Sequence, residues 1–191
     1  MKKITLLILA NFISISLSAQ NKPYVYVGGT ISGLSSHWNS LNKSEDFSLG
    51  GGFNVGCGLD ISLEQDLIFY LSPALQLTEN HFTSKNAGIK TGSFNLWNLQ
   101  LPVFLTYRTK NLSRHFSLEF GVGPYVGLKL GDKHADTVKS FDAGCAAKIG
   151  AIINDHYSIS IEDYAGMVNL AKDGNEKYKR TMLSLTLGYK F

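Results

Sequence analysis

The sequence predicts an all-β protein, an eight-stranded antiparallel up-and-down transmembrane β-barrel. Three observations lead there. Eight segments alternate apolar and polar residues with the period of a strand that has one face in each of two environments. The connections between them alternate long and short in step with an even strand number, as in barrels with short periplasmic turns and longer outer loops. The last segment, 182–191, alternates without a break and stops on an aromatic residue at the final position.

The chain opens with Lys2 and Lys3, an apolar run from Ile4 to about Ile15, and then Ser16, Leu17, Ser18 and Ala19. This is the pattern of a secretory signal peptide, with cleavage expected after Ala19. The run is shorter and more polar than the ~20 residues of a spanning helix. No Cys follows the small residues, so a lipid anchor is not expected. The domain division is therefore 1–19 as signal and 20–191 as barrel. Removing residues 1–19 from the 191 takes two of the 18 basic residues and none of the 15 acidic ones, leaving 16 against 15. That balance indicates neither nucleic-acid binding nor a polybasic membrane patch. With no long apolar helix in the mature chain, a bilayer crossing requires a closed barrel, the remaining structure that satisfies every backbone group in lipid.

The first strand, about 23–33, sets Val25, Val27 and Ile31 against Tyr24, Tyr26 and Thr30. The second is the most regular: from Phe47, the residues Leu49, Phe53, Val55, Cys57, Leu59 and Ile61 oppose Ser48, Gly50, Gly52, Asn54, Gly56, Gly58 and Asp60. The third places Leu67, Phe69, Leu71, Leu75 and Leu77 against Tyr70, Ser72, Ala74 and Gln76. In the fourth, Trp97, Leu99, Leu101, Val103, Leu105 and Tyr107 oppose Asn98, Gln100, Phe104 and Thr106. The fifth sets Phe116, Leu118, Phe120, Val122, Val126 and Leu128 against Ser117, Glu119, Gly121, Gly123, Tyr125 and Lys129. The sixth opposes Phe141, Ala143, Cys145, Ala147, Ile149 and Ile153 to Asp142, Gly144, Lys148 and Gly150. Tyr157, Ile159 and Ile161 face away from Ser158, Ser160 and Glu162 in the seventh. The eighth separates Leu183, Leu185, Leu187, Tyr189 and Phe191 from Met182, Ser184, Thr186, Gly188 and Lys190.

Alternation leaves open which face is outside. A soluble, secreted barrel that carries a ligand would show the same period with the faces exchanged. Two details favour lipid outside. The polar face of the second strand is mostly Gly, which suits a crowded narrow lumen better than a solvated sheet. Tyr107, Phe116, Tyr157 and Tyr189 fall at one level, as an interfacial aromatic girdle does. The lumen is then expected to hold Asn54 and the charges Asp60, Glu119, Lys129, Asp142, Lys148, Glu162 and Arg180, paired across strands because an unpaired buried charge is costly. Eight strands enclose a space that side chains fill, so solute conduction is not expected. Cys57 and Cys145 both point outward from distant strands, and a disulfide is not expected. Pro73, Pro102 and Pro124 interrupt strands, with local bulges as the expected accommodation. Asp163 would face lipid if the seventh strand is regular; either a bulge near Tyr164 turns it inward or that strand crosses differently.

The segments NLQLPVFLTYRT, FSLEFGVGPYVGLKL, FDAGCAAKIGAI, YAGMVNL and LSLTLGYKF occur in the order seen in a family of Bacteroidetes barrels, and the chain resembles the PorT-like outer-membrane β-barrel family over nearly all of its mature length. The resemblance implies an outer-membrane location, contact with outer-membrane lipid and, from the member that names the family, an accessory part in protein export. The ending Tyr-x-Phe resembles the closing strand of outer-membrane barrels. By that resemblance Leu185, Leu187, Tyr189 and Phe191 form an insertion signal read by the β-barrel assembly machinery.

Some eight-stranded barrels are lipid A deacylases or palmitoyltransferases. His156 and Ser158 resemble the deacylases' His-x-Ser pair, but they sit at a periplasmic turn, whereas those enzymes work at the outer leaflet, and no orienting carboxylate is assignable. His37, His81, His115 and His134 are scattered without metal-ligand spacing, and Gly50, Gly51 and Gly52 lie within a strand, not in a phosphate loop. No catalytic residue, cofactor or metal is expected. Function is expected in the outer loops, where Trp38, His81, Phe82 and Tyr178 suit a partner protein or surface ligand; an export accessory is the alternative, and a lipid-modifying enzyme a third.

Overall fold

The computed structural model describes residues 21–36, 50–63, 68–86, 89–109, 115–130, 140–169 and 178–191. The signal segment 1–19, the loop residues His37, Trp38 and His134, and the expected strand residues Phe47, Ser48, Leu49 and Leu67 lie outside them. The strands are β1 (Asn21–Ser36), β2 (Gly50–Ser62), β3 (Phe69–Asn86), β4 (Ile89–Arg108), β5 (Phe116–Leu130), β6 (Phe141–Ile153), β7 (Tyr157–Gly166) and β8 (Tyr178–Lys190). They form one closed antiparallel barrel in chain order. β8 closes on β1 from Tyr24↔Lys190 to Ser36↔Tyr178, and the Phe191 N–H reaches the Pro23 carbonyl at 2.9 Å. Closure leaves no sheet edge, which is what lipid requires of a spanning sheet.

The apolar face is outside. Leu187 is 59% exposed while its neighbour Thr186 is 3% exposed, and the same alternation runs along β5, β6 and β7. The interior is polar, with Asn54, Asp60, Gln76, Thr78, Gln100 and Glu119 all buried. This removes the soluble, face-exchanged alternative, which needs an apolar interior. A middle layer of Phe104, Tyr125, Ala146, Tyr164 and Met182 fills the lumen with larger side chains.

The expected aromatic girdle lies at the end that carries the chain termini. Tyr107, Phe116, Tyr157 and Tyr189 are exposed there, and ring contacts join Phe69 to Tyr107, Tyr157 to Tyr189 and Tyr189 to Phe191. The β6–β7 turn at this end is made by Asn154 and Asp155, with φ of 53° and 62°. These are the left-handed positions of a hairpin turn, which Asn and Asp tolerate.

Three expectations are corrected. β3 and β4 run far beyond the apolar band, to Asn86 and from Ile89. His81 and Phe82 therefore belong to β3, and Tyr178 begins β8; past the apolar band the sequence turns mostly polar, so alternation fades while the ladder continues. The prolines do not create bulges. The pairs Gly58↔Ala74 and Ile61↔Leu71 flank Pro73 without a change of register, Pro102↔Tyr125 and Leu105↔Val122 keep one register in β4–β5, and Pro124 pairs with Cys145 in an unbroken ladder. Proline removes one donor but adds no residue, so the ladder opens locally and does not slip. The register shift lies elsewhere, at Ser84 and Lys85. Finally, β7 is regular. Asp163 pairs with Ala147 and Leu183, stays exposed on the outer face and is not turned inward. Cys57 and Cys145 are free thiols on β2 and β6, both on outward-facing positions.

Lumen glycines set how closely neighbouring strands approach. A Cβ at Gly123 would stand 1.8 Å from the Val103 carbonyl oxygen, whereas one at outward Gly51 would meet nothing within 4 Å. Gly123→Val should abolish the compact band seen when unheated samples are run on gels, and Gly51→Val should keep it. Replacing the lipid-facing carboxylate by Asp163→Leu should stabilise the barrel in bilayers by about 1 kcal/mol, measured as a higher urea midpoint; a lower midpoint would place Asp163 outside lipid.

Candidate functional site

Side chains from every strand meet in the lumen because each contributes its inward positions. Near the terminal end, β2 supplies Asp60, β4 Arg108, β5 Glu119, β6 Lys148 and β8 Lys190. Arg108 Nη2 lies 2.6 Å from Asp60 Oδ2 and 3.5 Å from Glu119 Oε2. Lys190 Nζ bridges the same two carboxylates at 2.7 and 3.0 Å, and Lys148 Nζ reaches Glu119 Oε1 at 3.2 Å. Ser72 also donates to Asp60 Oδ1. The Arg108 guanidinium lies over the Tyr70 ring at 4.2 Å and Lys190 Nζ near the Tyr24 ring at 5.2 Å, so both cations are held by rings as well as carboxylates. Glu162 accepts from Tyr164 Oη at 2.8 Å. Asp60, Glu119 and Glu162 thus face Arg108, Lys148 and Lys190, and this half of the lumen is charge-balanced.

Above it lies a belt of amides and hydroxyls. Tyr26 Oη donates to Gln76 Oε1 at 2.8 Å, and Gln76 Nε2 to Gln100 Oε1 at 2.7 Å. Thr30 and Ser32 both donate to Asn80 Oδ1, and Asn54 Nδ2 donates to Ser184 Oγ. Toward the opposite mouth, Arg180 Nη1 stands 3.7 Å from Asp142 Oδ2, Tyr125 Oη donates to that same oxygen, and Arg180 Nη2 contacts Met182 Sδ. Lys129 is half-buried on the lumen-facing side of β5, paired in register with Asn98.

The seven charges expected inside all lie on lumen-facing positions, but as two groups: Asp60, Glu119, Lys148 and Glu162 in one half, Asp142, Arg180 and Lys129 in the other. Arg108 and Lys190 are the cations missing from the expected set, and they join Asp60 to Glu119. Their signal was parity: Arg108 follows Thr106, and Lys190 follows Gly188, at the two-residue step. Leu185, Leu187 and Tyr189 share the outer face of β8, and Phe191, just past its end, is exposed as well.

His156 and Ser158 have separate surroundings. The His156 ring stacks on Tyr189 at 5.5 Å and its Nδ1 lies 2.9 Å from the Lys190 carbonyl oxygen. Ser158 lines a small internal cavity of about 20 Å3 with Lys148, Glu162 and Lys190, room for about one water. Among the described residues no cluster of His, Cys, Asp and Glu could hold a metal ion. A wider concavity of about 730 Å3, lined by residues such as Val25, Val55, Leu75 and Leu187, opens on the apolar outer face. Its lining is mostly aliphatic, with Cys57 and Tyr189 among it.

A family model described as an outer membrane protein beta-barrel domain matches residues 19–191. No curated protein matches the sequence. Among solved structures, the chain is similar to the outer membrane protein OprG from Pseudomonas aeruginosa, with a TM-score of 0.56 and 13% identity over 90% of this chain and 96% of that one. It is also similar to Neisserial surface protein A, with a TM-score of 0.53 and 17% identity over 88% and 97%. At these identities the likeness concerns the fold.

Glu119 touches three cations, so its removal leaves buried charge uncompensated. Glu119→Ala should destabilise the barrel by about 3–5 kcal/mol. The double variant Glu119→Gln/Lys148→Met should lose less than the sum of its two singles. Urea unfolding in liposomes reads both; strictly additive losses would contradict a shared network.

Proposed function

The chain belongs to the outer membrane protein β-barrel domain family, and we propose that this member is a non-catalytic barrel that acts through its outer loops, binding a partner protein or a surface ligand. The observation that carries this reading is the crowded lumen, crossed by the bridged charges around Glu119, the Gln76–Gln100 belt and the Phe104–Tyr164 layer. A barrel that does not conduct offers its surroundings the connections opposite the termini. There the sequence places Trp38, between β1 and β2, and strands β3 and β4 extend past the apolar band, with His81 bonded to Asn95 on their outer faces. The proposal includes export through a signal peptide ending at Ala19. It also includes recognition of Leu185, Leu187, Tyr189 and Phe191 by the β-barrel assembly machinery, supported by their alignment on the closing strand.

The resemblance of segments such as NLQLPVFLTYRT and FSLEFGVGPYVGLKL to PorT-like barrels supports a second reading, an accessory of protein export. Deletion should then leave cargo proteins in the periplasm, and unchanged secretion would sink that reading.

The loop reading predicts that replacing residues 37–49 with a Gly/Ser segment of equal length leaves membrane insertion and gel heat-modifiability intact but abolishes binding of cells to a surface-displayed ligand array. Retained binding after replacement of each outer connection in turn would end it.

A further inference from the structure

The concavity on the outer wall owes its shape to which side chains the register sets side by side. Its lining falls on two neighbouring rows of paired residues. Tyr189, Val25, Cys57 and Leu75 make one row across β8, β1, β2 and β3. Leu187, Val27, Val55, Leu77 and Leu99 make the next, which reaches β4. The two middle strands, β1 and β2, carry the short side chains, and the flanking strands carry the longer Leu and Tyr. Gly56 and Gly188 line it with backbone alone. A trough of about 730 Å3 therefore lies over β1 and β2, between the ridges of β8 and β3. Beyond Val27 the outer face of β1 continues with Gly29, where an added Cβ would meet nothing within 4 Å.

The two ends of the trough differ. On the side of the chain termini it reaches Tyr189, whose ring packs with Tyr157 and Phe191 in the aromatic girdle, so it is continuous with the membrane interface. Toward the outer mouth, two residues beyond Val55 and Leu99, the Phe53 and Trp97 rings meet edge to face at 5.9 Å. The four residues from Cys57 to Phe53 cover about 13 Å along the strand, close to the ~15 Å of one hydrocarbon leaflet.

The chemistry of the wall selects the occupant. Tyr26 turns its hydroxyl inward to Gln76, which leaves the Cys57 thiol and the Tyr189 hydroxyl as the polar side-chain groups of the lining. An extended peptide lying here would find no partners for its N–H and C=O groups. A helix is too broad, because the floor is two strands about 4.8 Å apart and a helix is roughly 10 Å across. A hydrocarbon chain has no polar group to satisfy, and in the trough it touches both ridges as well as the floor, gaining dispersion contact that a convex wall does not give. We infer that the trough is a binding site for one acyl chain of a phospholipid from the leaflet on the side of the chain termini. The headgroup lies at the level of Tyr189 and the chain runs toward Phe53 and Trp97. The inference rests on the apolar face meeting lipid and is independent of what the outer loops bind.

The test is native mass spectrometry of the full barrel, reconstituted in bilayers of phosphatidylethanolamine and lipopolysaccharide, then extracted and released from detergent micelles. The barrel should keep one phosphatidylethanolamine through release. So should Val122→Phe, which enlarges an exposed valine on β5, opposite β1 in the closed order. Val27→Phe, Val55→Phe and Gly29→Leu each fill the trough from its outer side, and each should cut the retained fraction about fivefold or more while the compact band of unheated samples persists. The three are read separately, so a variant that does not insert leaves the others to decide. No retained lipid, or equal retention in Val122→Phe and in every folded trough variant, would overturn the site. Retention of lipopolysaccharide in place of phosphatidylethanolamine would overturn the leaflet. A dimer of the chain that the trough variants abolish would overturn lipid as the occupant in favour of a second copy.

Discussion

A bilayer core offers no partner to a backbone N–H or C=O, so the structure depends on the pairing of β8 with β1 that closes the sheet. Once closed, every strand residue faces either lipid or an interior eight strands wide. The outer positions are filled by Val, Leu, Ile and Phe. The inner positions must pair with one another, and most of the polar composition of the chain is placed there. Glu119 illustrates the outcome: three cations from β4, β6 and β8 converge on one carboxylate of β5, tying together strands far apart in sequence.

The same constraint explains what was legible in the sequence. Where a strand crosses lipid, each outward residue must be apolar and the period of two is unmistakable, as in β2, β5 and β8. Beyond the bilayer that requirement lapses. The β3–β4 hairpin continues to Asn86 and Ile89 with mostly polar residues, among which Phe82, Phe94 and Leu96 do not make an unbroken alternation. Arg108 and Lys190 were hidden for a related reason. They close their strands at the membrane boundary, where a cation reads equally well as a solvated end, and their inward direction follows from parity alone. The prolines could not be placed by pattern, because a missing donor can be met by a bulge or by a locally open ladder, and only the register distinguishes them.

Asp163 is the residue for which the general rule gives no account. It remains outward on a regular strand, between Ala147 and Leu183, with apolar residues on either side along β7. The lumen glycines, by contrast, have a direct reading. Gly123 and Gly144 let a neighbouring carbonyl approach to a distance no Cβ would permit, and Tyr125, Phe104 and Tyr164 occupy the interior at that height. Packing of large rings beside bare backbone is how a narrow barrel reaches a dense interior.

The central claim is that the apolar face meets lipid while its alternate residues line the lumen. Nitroxide labels at single cysteines through 181–189, with Cys57 and Cys145 replaced, would report it in reconstituted bilayers. The account predicts that Leu183, Leu185 and Leu187 positions relax with oxygen, which concentrates in lipid, and resist a water-soluble nickel complex, while even-numbered positions resist both. Odd-numbered positions that relax with the nickel complex would contradict it, because the apolar face would then lie in water.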